Sequence, residues 1–464
     1  MILVVSSRSV SRRVSAAHRL ALPIVLALAI LLAPLAATAG LLVTVGEVTS
    51  TSAIVWARGD AAGEATVEAK AGDRAAVTVK LRFAPERDFT GRGVLANLAP
   101  ATRYTYRIVA GGETVSGEFV TAPSAADPRA VKFLWSGDLG GGGFCRRIDG
   151  GYPIFVPMAK AKPDFFLFVG DTIYADVPCD KPGTVPGAAF AATTLPEFHA
   201  KHRYNREDDG VQRFFRATSV YAIWDDHEVR NDFSGPTEPL MPVGRQAFLD
   251  YWPIAPPPDD PTRLYRRVRW GQLAEIFVLD ARQYRSPNTA RDGPDKTMLG
   301  AEQRRWIIDA VATSSAVWKI VVSSIPLSVP VGRPERHDSW SNASVFGLPE
   351  PNGTGFAVER DAILKAFRDR GVRNLIFLAA DVHLAEVIRH EPVSGFAFHE
   401  LIAGPLSATF GRPRPLDQGL NPVSIFARGG LNNFGEVIVD RSGLSLRLIG
   451  EDGTVLFTHA IRPE

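Results

Sequence analysis

The stretch Asp164-Phe165-Phe166-Leu167-Phe168-Val169-Gly170-Asp171-Thr172-Ile173-Tyr174-Ala175-Asp176 opens with an apolar run too short for a typical helix and rich in aromatic and branched side chains. Such a run reads as a strand buried on both faces, in a sheet covered by helices. It stops at Gly170-Asp171. That puts a carboxylate at the carboxyl end of a central strand, where open α/β sheets bind their ligands. A turn would explain one such acid. The pattern recurs, however: Val131 to Asp138 (VKFLWSGD), Tyr221 to Asp226 (YAIWDD) and Asn374 to His383 (NLIFLAADVH) are apolar runs that also end in acids. Four acid tips at one edge would repel one another unless cations sat between them, so a hard-metal site is expected.

Around these strands the patterns alternate from Ala130 onward. Strands are predicted over 131–137, 164–169, 220–224, 318–325 and 374–380, with a hairpin from Leu264 to Leu279. Helices are predicted near 152–161, 195–206, 209–217, 242–251, 300–314 and 357–370. The tail adds strands at Phe398 to Ile402, Gly435 to Asp440, Leu444 to Ile449 and Val455 to Ile461. Region 328–355 is rich in Pro, Gly and Ser and reads as a long loop over the site. Together 130–464 read as a layered α/β domain finished by antiparallel strands.

Ahead of it, 40–123 reads as a small all-β module, joined through the linker Thr121 to Arg129. Its Leu98-x-Pro100-x-Thr102-x-Tyr104 resembles the tyrosine corner of fibronectin type III and related sandwiches. The module is poor in clustered acids, so a packing role is expected. Residues 1–39 read as an export signal: Arg8, Arg12 and Arg13, an apolar run from Leu20 to Ala36, then Ala37-Thr38-Ala39. A membrane anchor is the alternative reading. Ser11-Arg12-Arg13 suggests the twin-arginine route, but Ser15 and Ala16 stand where a bulky apolar pair is usual, which leaves Sec export open. The two cysteines, Cys145 and Cys179, follow two metal strands; a disulfide is favoured over a free thiol or a thiolate ligand. A net charge of +2 and the lack of a basic tract interleaved with aromatics argue against nucleic-acid binding.

Asp171 is the best candidate for a carboxylate bridging two ions. Tyr174, within the same turn, reads equally as a phenolate ligand for Fe³⁺ or as a core tyrosine. Asp138 ends the first strand, and Gly140 to Gly143 leave room for close backbone approach. In Trp224-Asp225-Asp226-His227-Glu228-Val229-Arg230-Asn231-Asp232, alternation along a regular strand lets only one of the two acids face a given metal. Asp226 is taken as the ligand and Asp225 as its support. His227 can protonate a leaving oxygen or hold the phosphoryl group. Asn231 can offer its amide to a phosphoryl oxygen or cap a loop. Asp381-Val382-His383 has the two-residue spacing that sends both side chains to one side of an extended chain. Arg282 can clamp a phosphate with its planar fork or pair with Asp280, and the pairing is slightly favoured.

As a set, SGD, GDTIYAD, WDDHEVRND, LDARQYR and ADVH, in this order, resemble the PhoD-type alkaline phosphatases of the calcineurin-like metallophosphoesterase superfamily, over roughly 41–464. The resemblance implies a four-layer α/β/β/α core behind a β-sandwich. It implies Fe³⁺ with Ca²⁺ or another divalent ion (Mn²⁺, Zn²⁺ or Mg²⁺), and export to the periplasm or medium. It implies hydrolysis of phosphate mono- and diesters, with phospholipase D activity in some relatives. Carried over, Asp138, Asp171, Tyr174, Asp226, Asp381 and His383 are metal ligands; His227, Arg282 and Asn231 serve catalysis. Asp138 stands where the best-studied branch has a cysteine, and no Asp-x-His follows, since Leu139 and Gly140 come next. The expectation is a monomeric exported hydrolase that uses a metal-held hydroxide on a small-molecule or lipid phosphate ester. The alternatives are a phospholipase D-type phosphodiesterase on the same core, or an exported binding module without turnover.

Overall fold

The computed structural model describes residues 40–464, so the expected export signal over 1–39 lies outside the described residues. No helix among those described is long and apolar enough to cross a membrane. In chain order the strands begin with β1 (Leu42–Gly46), β2 (Ala53–Arg58), β3 (Gly63–Lys70), β4 (Val77–Phe83), β5 (Thr90–Leu95), β6 (Arg103–Ala110) and β7 (Glu113–Val120). Then come β8 (Val131–Ser136), β9 (Phe165–Val169), β10 (Ser219–Ile223), β11 (Arg266–Trp270), β12 (Ala274–Val278), β13 (Trp318–Val322), β14 (Gly332–Arg333) and β15 (Arg336–His337). The last are β16 (Leu375–Ala379), β17 (Ala385–Val393), β18 (Phe396–Ile402), β19 (Pro422–Arg428), β20 (Asn433–Asp440), β21 (Gly443–Gly450) and β22 (Val455–Ile461). The helices are α1 (Phe155–Ala161), α2 (Leu195–Arg206), α3 (Asp209–Ala217), α4 (Met241–Tyr251), α5 (Gly300–Ala312) and α6 (Ala357–Asp369).

β9 is buried at every position, as its unbroken apolar run requires. It pairs in parallel with β8 on one side and β10 on the other. These three lie in a nine-stranded sheet of order β22-β21-β20-β8-β9-β10-β1-β2-β5. A seven-stranded sheet, β11-β12-β13-β16-β18-β17-β19, faces it. Side-chain alternation separates the layers. Ile276, Val278, Ile320, Val322, Ile376 and Leu378 join the core that also holds Phe133, Phe165 and Trp135 of the first sheet. Their neighbours Phe277, Val321 and Phe377 turn outward to pack with Ile307 and Val311 of α5 and Leu364 and Phe367 of α6. On the far side of the first sheet, Phe155 of α1 meets Phe214 and Phe215 of α3. The result is helix, sheet, sheet, helix.

The N-terminal stretch is less separate than its composition suggests. Strands β3, β4, β6 and β7 form their own four-stranded sheet, but β1, β2 and β5 extend the nine-stranded one, with β1 parallel to β10 at Gly46 and Val220. Arg206 of α2 helps hold the join: its guanidinium lies 4.0 Å from the Trp252 ring centroid and 4.9 Å from that of Trp56. It also donates to Thr44 Oγ1 and Tyr251 O. The Tyr104 hydroxyl accepts from Ala99 N at 2.9 Å, the bond a tyrosine corner makes.

Two strands carry no clear signal in the sequence, β17 and β19. Each pairs antiparallel at the end of the seven-stranded sheet. Region 328–355 is a loop with a small hairpin, β14–β15, and it is pinned from inside by Trp340 Nε1 donating to Ser323 Oγ. Cys145 and Cys179 form a disulfide with Cα atoms 5.8 Å apart, which removes the thiol and thiolate alternatives.

Candidate metal centre

Three acids sit two residues beyond the ends of parallel strands: Asp138 after β8, Asp171 after β9 and Asp381 after β16. All three take left-handed backbone angles, with φ of 65°, 49° and 65°, as do His383 (56°) and Asp232 (56°). Asp tolerates this region better than most residues, and its repetition at one place marks a site whose surroundings hold it there. Asp225 likewise lies two residues beyond its strand, β10, with Asp226 next to it. The turns are tied from beneath. Glu228 accepts from Thr172 N and Thr172 Oγ1 at 2.6 Å each and from Asp225 N at 2.8 Å. Asn205 of α2 donates to Leu139 O and Thr172 O.

The acids converge. Ligand atoms lie within 4.8 Å of one another in four overlapping groups: Asp138, Asp171 and His383; Asp171, Asp226 and His227; Asp225, Asp226 and Asp381; Asp226, Asp232 and Asp338. Tyr174 joins the first, its hydroxyl 2.9 Å from His383 Nε2. Its ring fits because Gly141 lacks a Cβ, which would lie 2.3 Å from the phenol carbon.

Three sequence expectations change in detail. Asp381 and His383 are not on an extended chain: both lie in the bend after β16, and they enter different groups. Asp225 and Asp226 do reach a common group, because β10 stops at Ile223 and strand alternation no longer applies. Arg282 does not send its guanidinium to Asp280, which accepts instead from Trp224 Nε1 and the Arg282 backbone N–H. Fully buried, Arg282 donates Nε to Asp225 and Nη1 to Asp338, while Nη2 stands 3.7 Å from Asp226 without a hydrogen bond. Asn231 is exposed, and its backbone N–H donates to Asp176.

Charge is the dominant feature. Burial, then the nearby Asp225, pushes the Asp138 carboxyl well above the usual range. Burial and the Asp226 charge do the same at Asp171. Burial and Asp225 raise Asp381. At Asp226 burial is outweighed by Arg282 and His227, which hold it low. His227 Nδ1 is 2.7 Å from Asp176 Oδ1; burial opposes its protonation, but Asp226 and Asp176 raise it to about 9. Burial brings His383 down to about 4, a neutral imidazole suited to ligation. Tyr174 is raised by burial and by Asp171.

The donors fit bound cations. Asp138 Oδ2, Asp225 Oδ2, Asp226 Oδ1 and Asp381 Oδ2 are buried oxygens without a hydrogen-bond partner. Orphaned carboxylate oxygens are costly unless a cation takes them, and Asp226 Oδ1 has a guanidinium nitrogen near it, Arg282 Nη2 at 3.7 Å. Carboxylates, a phenol and one imidazole suit hard ions. Asp176, Glu228, Asp232 and Asp338 carry no signal of their own in the sequence. The first three lie inside quoted motifs; Asp338 sits in an irregular loop with no strand to announce it.

Acid-tipped strands meeting between two helix-covered sheets define a metallophosphoesterase core. The profile of the PhoD-like phosphatase family matches residues 139–427. The chain belongs to that family. Alkaline phosphatase D of Bacillus subtilis (strain 168) is 27% identical over 316 residues, covering 62% of this chain and 52% of the relative, so the match spans about half that protein's length. The solved structure of PhoD superposes with a TM-score of 0.72 at 20% identity, covering 91% of this chain and 92% of that one. A purple acid phosphatase from yellow lupin (Lupinus luteus) seeds gives 0.64 at 14% identity, covering 91% and 74%. At those identities the two structures speak to the fold.

Proposed function

We propose that this chain is a metal-dependent hydrolase of phosphoric esters, of the alkaline phosphatase D type. The observation that carries the reading is the convergence of Asp138, Asp171, Asp226, Asp381 and His383, with buried oxygens left for cations. Asp171 would be the bridging ligand, with Asp138, Tyr174, Asp226, Asp381 and His383 completing the shell; Asp171 belongs to two of the groups and Asp226 to three. A Tyr174 phenolate would suit Fe³⁺, and the remaining carboxylates would suit Ca²⁺ or another divalent ion. Bound there, such ions supply Lewis-acid charge to the phosphoryl oxygens and acidify a water nucleophile.

The chain's own residues do the rest. Asp176 holds His227 by Nδ1, which leaves Nε2 to protonate the leaving oxygen. The Asn231 amide is free on the exposed side and is assigned to a phosphoryl oxygen. Arg282 is a positioning residue: it holds Asp225, and through its charge Asp226, in place. The disulfide supports export to an oxidising compartment.

Metal-supplemented protein is expected to hydrolyse p-nitrophenyl phosphate, bis(p-nitrophenyl) phosphate or both. Phosphatidylcholine, assayed in parallel, tests the phospholipase D-type reading. Binding of all three without product would leave only a binding module.

A further inference from the structure

We propose that Phe144 and Phe410 form an apolar wall at the mouth of the site and select esters whose leaving group is apolar and planar. This rests on the hydrolase reading and adds the substrate class to it. The two rings pack with centroids 5.0 Å apart at 54°, yet Phe410 remains 43% exposed. Phe410 follows Thr409, whose hydroxyl is 3.1 Å from His383 Nδ1, and Gly411 N donates to His383 O at 2.8 Å. The Phe410 backbone is therefore fixed to the candidate ligand on both sides. Phe144 lies on the glycine loop that covers Tyr174, and its carbonyl accepts from Ser407 Oγ at 2.7 Å. The two loops interlock so closely that a Cβ on Gly142 would lie 2.1 Å from Thr409 Cγ2.

An exposed Phe410 ring backed by the half-buried Phe144 on interlocked loops offers contact area at little ordering cost. A ring face gives no hydrogen bond to phosphoryl oxygens, which cations held by the acid cluster beside it would meet. The group left to meet the wall is the organic part of the ester. A planar apolar group would be covered by the ring that is half bare in the free protein.

The test compares 1-naphthyl phosphate with glycerol 2-phosphate in wild type and Phe410→Ala. The variant should lose about tenfold in kcat/KM on the naphthyl ester, mainly through KM, with little change on the glycerol ester. Phenylphosphonate and methylphosphonate binding, measured by calorimetry, gives a second readout without turnover. An active variant whose naphthyl-to-glycerol ratio is unchanged overturns the wall. A wild-type protein that turns over neither ester, yet prefers phenylphosphonate and loses that preference in Phe410→Ala, overturns the hydrolase reading and keeps the wall.

Discussion

Asp171→Asn is expected to abolish ester hydrolysis and, in the presence of a chelator, to make the protein more stable than wild type. The two effects have one cause. Asp171 is buried among Asp226, Asp225, Glu228 and Asp138, and burial and the charge of Asp226 dominate its surroundings. Without cations that carboxylate is a liability; the neutral amide keeps its shape and removes its charge. With cations it would be a ligand common to two of the groups, as Asp226 is to three. Its loss should lower turnover roughly a thousandfold or more, since several kcal/mol of transition-state stabilisation depend on metal charge. Activity on p-nitrophenyl phosphate and the thermal midpoint in chelator check both halves. Wild-type turnover, or a midpoint lowered in chelator, would contradict this role.

Arg282→Met is expected to cost about 3–5 kcal/mol of folding stability, the scale for breaking a buried ion pair from one side. Its guanidinium is fully buried and serves Asp225 and Asp338, with Asp226 at 3.7 Å. Arg285 also pairs with Asp338, so the acid most exposed to the loss is Asp225, left with the Ser324 hydroxyl at 2.7 Å. Adding Asp225→Asn to Arg282→Met should therefore recover part of the stability. Denaturant unfolding of both variants measures this. A loss below about 1 kcal/mol, typical of an exposed pair, would show that Arg282 does not hold the site together.

Much of the site was legible because it is written in strand ends. An apolar run closed by Gly-Asp announces both β9 and the acid beyond it, and the repeats at Asp138, Asp226 and Asp381 do the same. Helices α2 and α3 match the expected 195–206 and 209–217. What was hidden depends on distant partners. Nothing local says that β1 lies beside β10, because Leu42–Gly46 would be equally buried in a free sandwich. Asp176 reads as a turn acid until His227, 51 residues on, is placed against it. Asp338 becomes meaningful only when Arg282 and Arg285 are seen reaching it. The Asp381–His383 bend is hidden because positive φ at both positions is not written in the residue types.

The most direct measurement is anomalous scattering from a crystal of metal-loaded protein. Two or more peaks should appear among Asp138, Asp171, Asp226, Asp381 and His383, with Asp171 shared between them and Tyr174 beside one. A featureless map in that space, from crystals of protein that still cleaves esters, would contradict the claim that cations make this crowd of acids tolerable.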